Sequence, residues 1–276
     1  MLYLVATPIG NLEDITLRAL NTLKEVDIIA CEDTRNTQKL LNHYDITNKK
    51  LISYHEHNED KSSEKIIEYL ENGYNIALVT DAGMPCISDP GYVLVKKIRE
   101  KNLEVVALPG ANAGLTALVA SGIESYSYTF YGFLPRKNKE LKERLEHIME
   151  QKTTAILYES PHRITNLVEK ITEVDNQREI TIARELTKMF EQVVTALSTE
   201  ILGKLGQDIK EKGEFVVIIA PNKNNAEKEV DMEEIIDFIY NKVQIGEKKS
   251  QAIKDAAKKY NVNKKEVYNL YHEKYD

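Results

Sequence analysis

MLYLVATPIGNLEDITLRALNTLKEVDIIAC, residues 1–31, reads as strand, turn, helix and strand. Leu2 to Ala6 is an apolar run that ends in a Pro/Gly turn. Ile15, Leu17, Leu20 and Leu23 then recur at helical spacing, with Asp14 or Thr16 as the cap, and DIIAC is a second short apolar strand. Two strands joined through a helix make a crossover unit, which pairs its strands in parallel. The alternation continues outward through the helix TRNTQKLLNHY, the strand KLISYH, a helix through Ile66, Ile67 and Leu70, the strand NIALVT, the helix YVLVKKIREK and the strand LEVVALPG. Five strands by Pro109 predict an open α/β sheet.

After the helix ANAGLTALVASGI the pattern changes. YSYTFYGFL alternates and is aromatic, which suits mixed or antiparallel pairing, so a second domain begins near Gly122. LKERLEHIMEQ and HRITNLVEKITEV read as helices there, TTAILYES and REITIAREL as strands, and GEFVVIIAPN as the closing strand. NKNNAEKEV reads as a polar linker. The expected organisation is an N-terminal α/β domain over 1–121, a second α/β domain over 122–222 and a helix-turn-helix-like tail over 231–276. A length of 276 residues suits two ordinary domains with an appendage, and no internal repeat is evident.

Composition narrows the class. With 42% hydrophobic and 29% charged residues the chain can bury a core and keep a charged surface, which excludes disordered and collagen-like classes. No apolar run approaches the ~20 residues of a membrane-spanning helix, and the first ten residues carry no basic leader, so the cytoplasm is the expected location and no membrane partner is expected. Cys31 and Cys86 make neither a disulfide framework nor a zinc motif, and no resident metal is expected. The net charge of −7 is unevenly spread: Lys242 to Lys274 holds nine Lys and four acids, +5, which leaves −12 elsewhere. A basic tail on an acidic body points to a polyanionic partner for the tail.

The chemistry concentrates in three loops that follow apolar strands: TPIGN at 7–11, TDAGMPCISDPG at 80–91 and LPGANAG at 108–114. In an open sheet the ligand crevice lies beyond the carboxyl ends of the strands. Glycine lets the main chain approach a ligand and proline fixes the turn that holds it. Neither GxGxxG nor GxxxxGK[ST] is present, which disfavours a dinucleotide site and a P-loop, and HExxH and GxSxG are absent as well.

Seven stretches occur in a fixed order: VATPIGNLEDIT, ACEDTR, YHEHNE, TDAGMPCISDPG, YGFLPRK, YESPHRI and ARELTKMFEQ. On these the chain resembles the ribosomal RNA small subunit methyltransferase I family, of the tetrapyrrole-methylase type, over nearly its whole length. The resemblance implies a two-domain α/β enzyme, commonly a homodimer, that holds S-adenosylmethionine between its domains. The implied reaction is 2′-O-methylation of a cytidine ribose in the decoding centre of 16S ribosomal RNA, so the implied partner is that RNA or the small ribosomal subunit. Carried over by motif, the cofactor residues would be Pro8 and Ile9, then Asp81, Ala82, Gly83, Met84, Pro85 and Ile87, then Gly110 and Ala111, with Tyr158 and Ala183 as walls from the second domain. Cys31 stands where that family usually has Ala, Gln192 replaces a common Glu, and Met84 and Cys86 fall in a variable part of the second loop.

A ribose hydroxyl becomes a good nucleophile when its proton is accepted, and a carboxylate within hydrogen-bond reach can do this. Asp33, Glu159 and Glu185 are the expected catalytic residues; Asp33 could equally cap the helix at Thr34, and the glutamates could pair with Arg163 and Arg184. Guanidinium and ammonium groups suit phosphate oxygens, which makes Arg35, Arg136, His162, Arg163, Arg184 and Lys188 the expected RNA contacts. Tyr126, Tyr128 and Tyr131 could stack an unpaired base, whereas Phe130 and Phe133 are expected in the core. His55 and His57 are read as substrate-side, and Lys258, Lys259, Lys264 and Lys265 as RNA contacts of the tail. Two other readings stay open, a methylase of a tetrapyrrole or other small molecule and a non-enzymatic RNA-binding assembly factor; the intact loops and the basic tail weigh against them.

Overall fold

The computed structural model describes residues 1–222, 232–260 and 262–275. In chain order it begins with β1 (Leu2–Leu4), α1 (Leu17–Glu25), β2 (Ile28–Cys31), α2 (Thr34–His43), β3 (Lys50–Ser53), α3 (Glu59–Glu71), β4 (Ile76–Val79), α4 (Tyr92–Glu100), β5 (Val105–Ala107) and α5 (Ala113–Ser121). The five strands form one parallel sheet in the order β3-β2-β4-β1-β5. All four residues of β2 and of β4 are buried, as continuous apolar runs require when helices cover both faces. Of the two possible caps for α1 it is Thr16 that serves: its Oγ1 accepts from Ala19 N at 3.0 Å, a bond worth about 1 kcal/mol.

This strand order creates the crevice. The crossover from β1 runs out to β2 on one side, and the crossover from β4 runs back over β1 to β5 on the other, so the chain leaves β1 and β4 in opposite directions. Neighbouring strands whose connections diverge leave a gap beyond their carboxyl ends. The TPIGN and TDAGMPCISDPG loops leave from these two strands.

The second half continues with β6 (Tyr128–Phe133), α6 (Asn138–Met149), β7 (Thr154–Glu159), α7 (Ile164–Val174), β8 (Glu179–Arg184), β9 (Gln192–Leu197), α8 (Ser198–Lys204) and β10 (Phe215–Ile219). Its sheet is mixed, in the order β6-β7-β10-β8-β9. β6 pairs with β7 in parallel and the other neighbours pair antiparallel. GEFVVIIAPN is the central strand of this sheet, buried at every position of β10, and the half-buried edge strand β9 had no counterpart in the sequence reading. α5 packs across β7, β8, β9 and β10 of this second sheet. Ala117 and Leu118 of that helix share a cluster with Ile156, Ala183, Val216 and Ile218.

A register shift between Phe130 and Gly132 interrupts β6, with Gly132 at φ 63°. The extra residue turns Phe130 and Phe133 to the same side, and both rings stand edge-on to Tyr158 at 5.1 and 5.8 Å. The expectation of a core role for Phe133 is thereby corrected: it is 59% exposed.

Residues Met1–Pro221 form one compact unit and Asn222–Asp276 another. The second unit contains α9 (Met232–Gln244), α10 (Lys249–Tyr260) and α11 (Lys264–Tyr275) around Ile235, Ile239, Ile253 and Val267. The linker expected from NKNNAEKEV lies, from residue 223 on, outside the described residues, as does Asn261 of the NVN turn. Among the described residues no helix is long and apolar enough to cross a membrane.

Candidate functional site

Two adjoining cavities open at the crevice. The first, about 370 Å³, lies between the loop after β4 and the ends of β7 and β10, with walls from Ile9, Ile87, Phe133, Tyr158 and Val216. The second, about 360 Å³, lies between Pro8, α2 and Asp81, and its polar lining includes Asn36, Lys39 and Lys188. Ile9, Ala82 and Glu214 belong to both. Volumes above roughly 300 Å³ and mostly apolar walls with a few fixed polar groups are what small-ligand sites require.

The loops are held by their own main chain. Gly83 has φ 84° and exchanges hydrogen bonds with Thr7, 2.9 Å from Thr7 N to Gly83 O and 3.0 Å from Gly83 N to Thr7 O. Thr7 Oγ1 also donates to Thr80 O at 3.1 Å, so the loop after β1 is fastened to the loop after β4. A Cβ on Gly110 would stand 2.5 Å from that of Ala6, which explains glycine there as close packing of the third loop on the first. Of the expected cofactor residues, Ile9, Ala82, Gly83, Met84, Ile87 and Tyr158 line the 370 Å³ cavity. Pro8 and Asp81 line its neighbour, and Ala183 lines a small recess of about 20 Å³ beside Ile9 and Leu186. Pro85, Gly110 and Ala111 line neither cavity: Pro85 is buried, Gly110 is exposed and Ala111 packs against the cluster that contains Ile9.

Asp81 is engaged within the protein, since its carboxylate accepts from Asn36 Nδ2 at 2.8 Å and from Asp33 N at 3.2 Å and ties α2 to the loop after β4. Tyr158 receives the Gly114 amide on its hydroxyl at 3.2 Å, and burial raises its pKa.

The three expected catalytic carboxylates have different surroundings. Asp33 is the N-cap of α2, and Arg35 holds both of its oxygens, at 2.8 Å from the amide and 2.7 to 3.1 Å from the guanidinium. Those hydrogen bonds pull its pKa down to about 2, which leaves a weak proton acceptor. Glu185, at φ 52°, accepts from Lys188 Nζ and from Glu214 N, each at 3.0 Å. Burial pushes its carboxyl up, and these bonds outweigh burial and leave it below its ordinary value. Glu159 lines the larger cavity with its side chain only 1% exposed. Its Oε1 accepts from Ser160 N at 2.7 Å, while its Oε2 has no hydrogen-bond partner and lies 3.5 Å from Arg163 Nη2. A buried carboxylate oxygen with an open lone pair is unusual in a folded protein and marks a place for a ligand donor.

The expected RNA contacts also divide. Arg35, Arg136 and His162 are exposed. Arg163 donates to Leu134 O and Pro135 O, and Arg184, 8% exposed, donates to Lys212 O at 2.6 Å and Phe190 O at 3.2 Å. Lys188 bridges Glu185 and Glu214 at 3.0 and 3.1 Å. Arg163 and Arg184 each spend part of their donors on main-chain carbonyls, unlike the exposed Arg35 and Arg136.

Sequence reasoning missed Asp89. It lines the larger cavity on the strained part of the loop after β4, where Cys86 and Ser88 have φ of 71° and 61°. Burial, with Glu32 and Asp81 adding to it, pushes its carboxyl up to about 7. The only signal in the sequence was a second acid in a loop read for its glycines.

Residues 1–202 match the family model of the Tetrapyrrole (Corrin/Porphyrin) Methylases. The ribosomal RNA small subunit methyltransferase I of Bacillus subtilis (strain 168) is 47% identical over 99% of this chain and 94% of its own length. Its counterpart in Halalkalibacterium halodurans is 45% identical with the same coverage. Among solved structures, the methyltransferase CobJ superposes with a TM-score of 0.60 at 17% identity over 80% of this chain and 93% of its own, and a diphthine synthase does so with 0.60 at 15% over 79% and 89%. The chain belongs to the tetrapyrrole methylase family and, within it, to the ribosomal RNA small subunit methyltransferase I family. It is a methyltransferase with that fold.

Proposed function

We propose that the protein methylates the 2′-hydroxyl of a cytidine in the decoding centre of 16S ribosomal RNA, with S-adenosylmethionine as donor, acting in the cytoplasm as a homodimer. The observation that carries this reading is the pair of cavities sharing Ile9, Ala82 and Glu214. A two-substrate transfer needs two partners held side by side, and much of its rate comes from that positioning. The larger cavity suits the cofactor: apolar side chains match an adenosine, and Ser88, Asn112 and Ser160 offer polar contacts. When bound, the cofactor supplies an electrophilic methyl group.

The second cavity, with Asn36, Lys39 and Lys188, suits a nucleotide and its phosphate, and Arg35, Arg136 and His162 are exposed for further phosphate contacts. Glu159 is the residue we assign to the proton of the hydroxyl, since Asp33 and Glu185 are held low by their partners. The Lys-rich second unit adds phosphate contacts through Lys258, Lys259, Lys264 and Lys265. Exposed Val119 and Tyr126, at 78% and 96%, support the homodimer. Mapping ribose methylation in 16S RNA from cells with and without the gene tests the reading. Loss of one cytidine 2′-O-methyl group supports it, and an unchanged map refutes it.

A further inference from the structure

The larger cavity carries an unbalanced charge. Asp89, Glu159 and Glu214 line it, and no lysine or arginine does so among the described residues. Of the three, Glu159 has Arg163 at 3.5 Å and Glu214 has Lys188 at 3.1 Å. No ion pair or hydrogen bond to the Asp89 carboxylate is formed among the described residues. The groups facing Asp89 from the packed elements add more negative charge or none: Glu32 beyond β2, Asp81 beyond β4, the Cys86 thiol on its own loop, and Tyr158 and Glu159 at the end of β7. An acid in this position lacks a cation, and the buried Oε2 of Glu159 in the same cavity, which accepts no hydrogen bond, independently marks a place for a ligand donor.

We propose that Asp89 makes this cavity read charge, so that it holds the sulfonium of S-adenosylmethionine and lets go of the neutral thioether, S-adenosylhomocysteine. The inference rests on the cofactor assigned above. Methyl transfer forms the carbon–oxygen bond and breaks the carbon–sulfur bond; the sulfur keeps the electron pair and loses its charge, and the hydroxyl proton passes to the Glu159 carboxylate. The same cavity then contains a ligand with one positive charge fewer, and attraction to Asp89 ends at the moment the product must depart. The titration of Asp89 follows the same logic. Its carboxyl sits near 7 because of burial and then of Glu32 and Asp81. A neighbouring cation favours the ionised form, so the sulfonium expels a proton near neutrality and the thioether does not.

Calorimetric titration of the full chain with each compound decides this, run roughly one pH unit below and one above neutrality. In the wild type the affinity for S-adenosylmethionine should rise with pH by up to about tenfold more than in D89N. At the higher pH, D89N should weaken S-adenosylmethionine about tenfold and leave S-adenosylhomocysteine within about twofold. Equal weakening of both compounds, or an unchanged ratio, would overturn the proposal. A wild type that binds neither compound would instead overturn the cofactor assignment on which it rests. A second measurement needs no variant: at neutral pH, heats in buffers of different ionisation enthalpy should show about half a proton released per S-adenosylmethionine and far less per S-adenosylhomocysteine. The same number for both compounds sinks the idea even if D89N does not fold.

Discussion

Thr7 and Gly83 are paired through both of their main-chain groups, N to O in each direction at 2.9 and 3.0 Å, across 76 positions of sequence. The pairing joins the loops that leave the sheet in opposite directions, and it holds the floor of both cavities at a fixed height. A Cβ at residue 83 would stand 3.5 Å from Ile9 Cγ2 in a φ of 84° that L residues avoid.

Gly83→Val should therefore abolish measurable cofactor binding, because it strains the bridge and adds bulk beside Ile9. The backbone term costs roughly 1–2 kcal/mol, so the protein should still unfold cooperatively with a Tm lower by a few degrees. Calorimetry and thermal unfolding on the same sample check the two halves.

Gly213 and Glu185 allow a sharper test. A Cβ at 213 would lie 2.4 Å from the Glu185 carboxylate, at a φ of 96°. Gly213→Ala should displace that carboxylate, release Lys188 and cost about 1–3 kcal/mol. The pH dependence has a definite sign. Because the folded-state pKa of Glu185 is depressed, its contribution is present above its ordinary value of 4.5 and is lost as pH falls below it. Glu185→Gln should remove that acid-side loss from a plot of stability against pH.

Arginines of one charge should give opposite phenotypes. Arg35→Ala removes an exposed group paired only with Asp33, so small-subunit binding should weaken severalfold while the Tm stays put. Arg184→Ala strips donors from Lys212 O and Phe190 O beneath the surface and should lower the Tm, with RNA affinity falling only as far as folding does. Filter binding and melting curves separate the two; equal effects on both assays would contradict the assignments.

A chain ending at Asn222 should fold and bind S-adenosylmethionine with unchanged affinity. It should bind the small ribosomal subunit more weakly and with a shallower dependence on salt, as expected when the Lys258, Lys259, Lys264 and Lys265 contacts are removed. Affinities at three salt concentrations measure this.

What could be read in advance was whatever a local pattern decides. IIAC and IALV are unbroken apolar runs between turns, and like FVVII of β10 they are buried at every position. QVVTAL escaped notice because its residues are mostly half-buried and it follows a motif that drew a functional reading. α5 is apolar all round, so its sequence contains no polar face to say which sheet it covers. The site had the same limit. The glycines and prolines of the loops announced a main-chain cradle, but nothing local distinguishes Arg184 from Arg35, because what separates them is the presence of carbonyls brought in by residues 190 and 212. Asp89 was invisible for a related reason: the burial that gives it its character comes from the packed fold, and Glu32, which adds to it, arrives from the end of a strand far away in the chain.

β1 lies between β4 and β5 and precedes both in the chain, so an interior strand of the sheet is made before either of its neighbours. During synthesis it has no neighbour on either side until residue 76 has emerged, and its second partner ends at Ala107. At about 5–20 residues per second, the buried face of Leu2–Leu4 waits on the order of 5–20 s for its seat. The nascent chain thus carries a sticky, unpaired segment until then, and slowing elongation before codon 107 should increase its capture by chaperones that bind at the ribosomal exit.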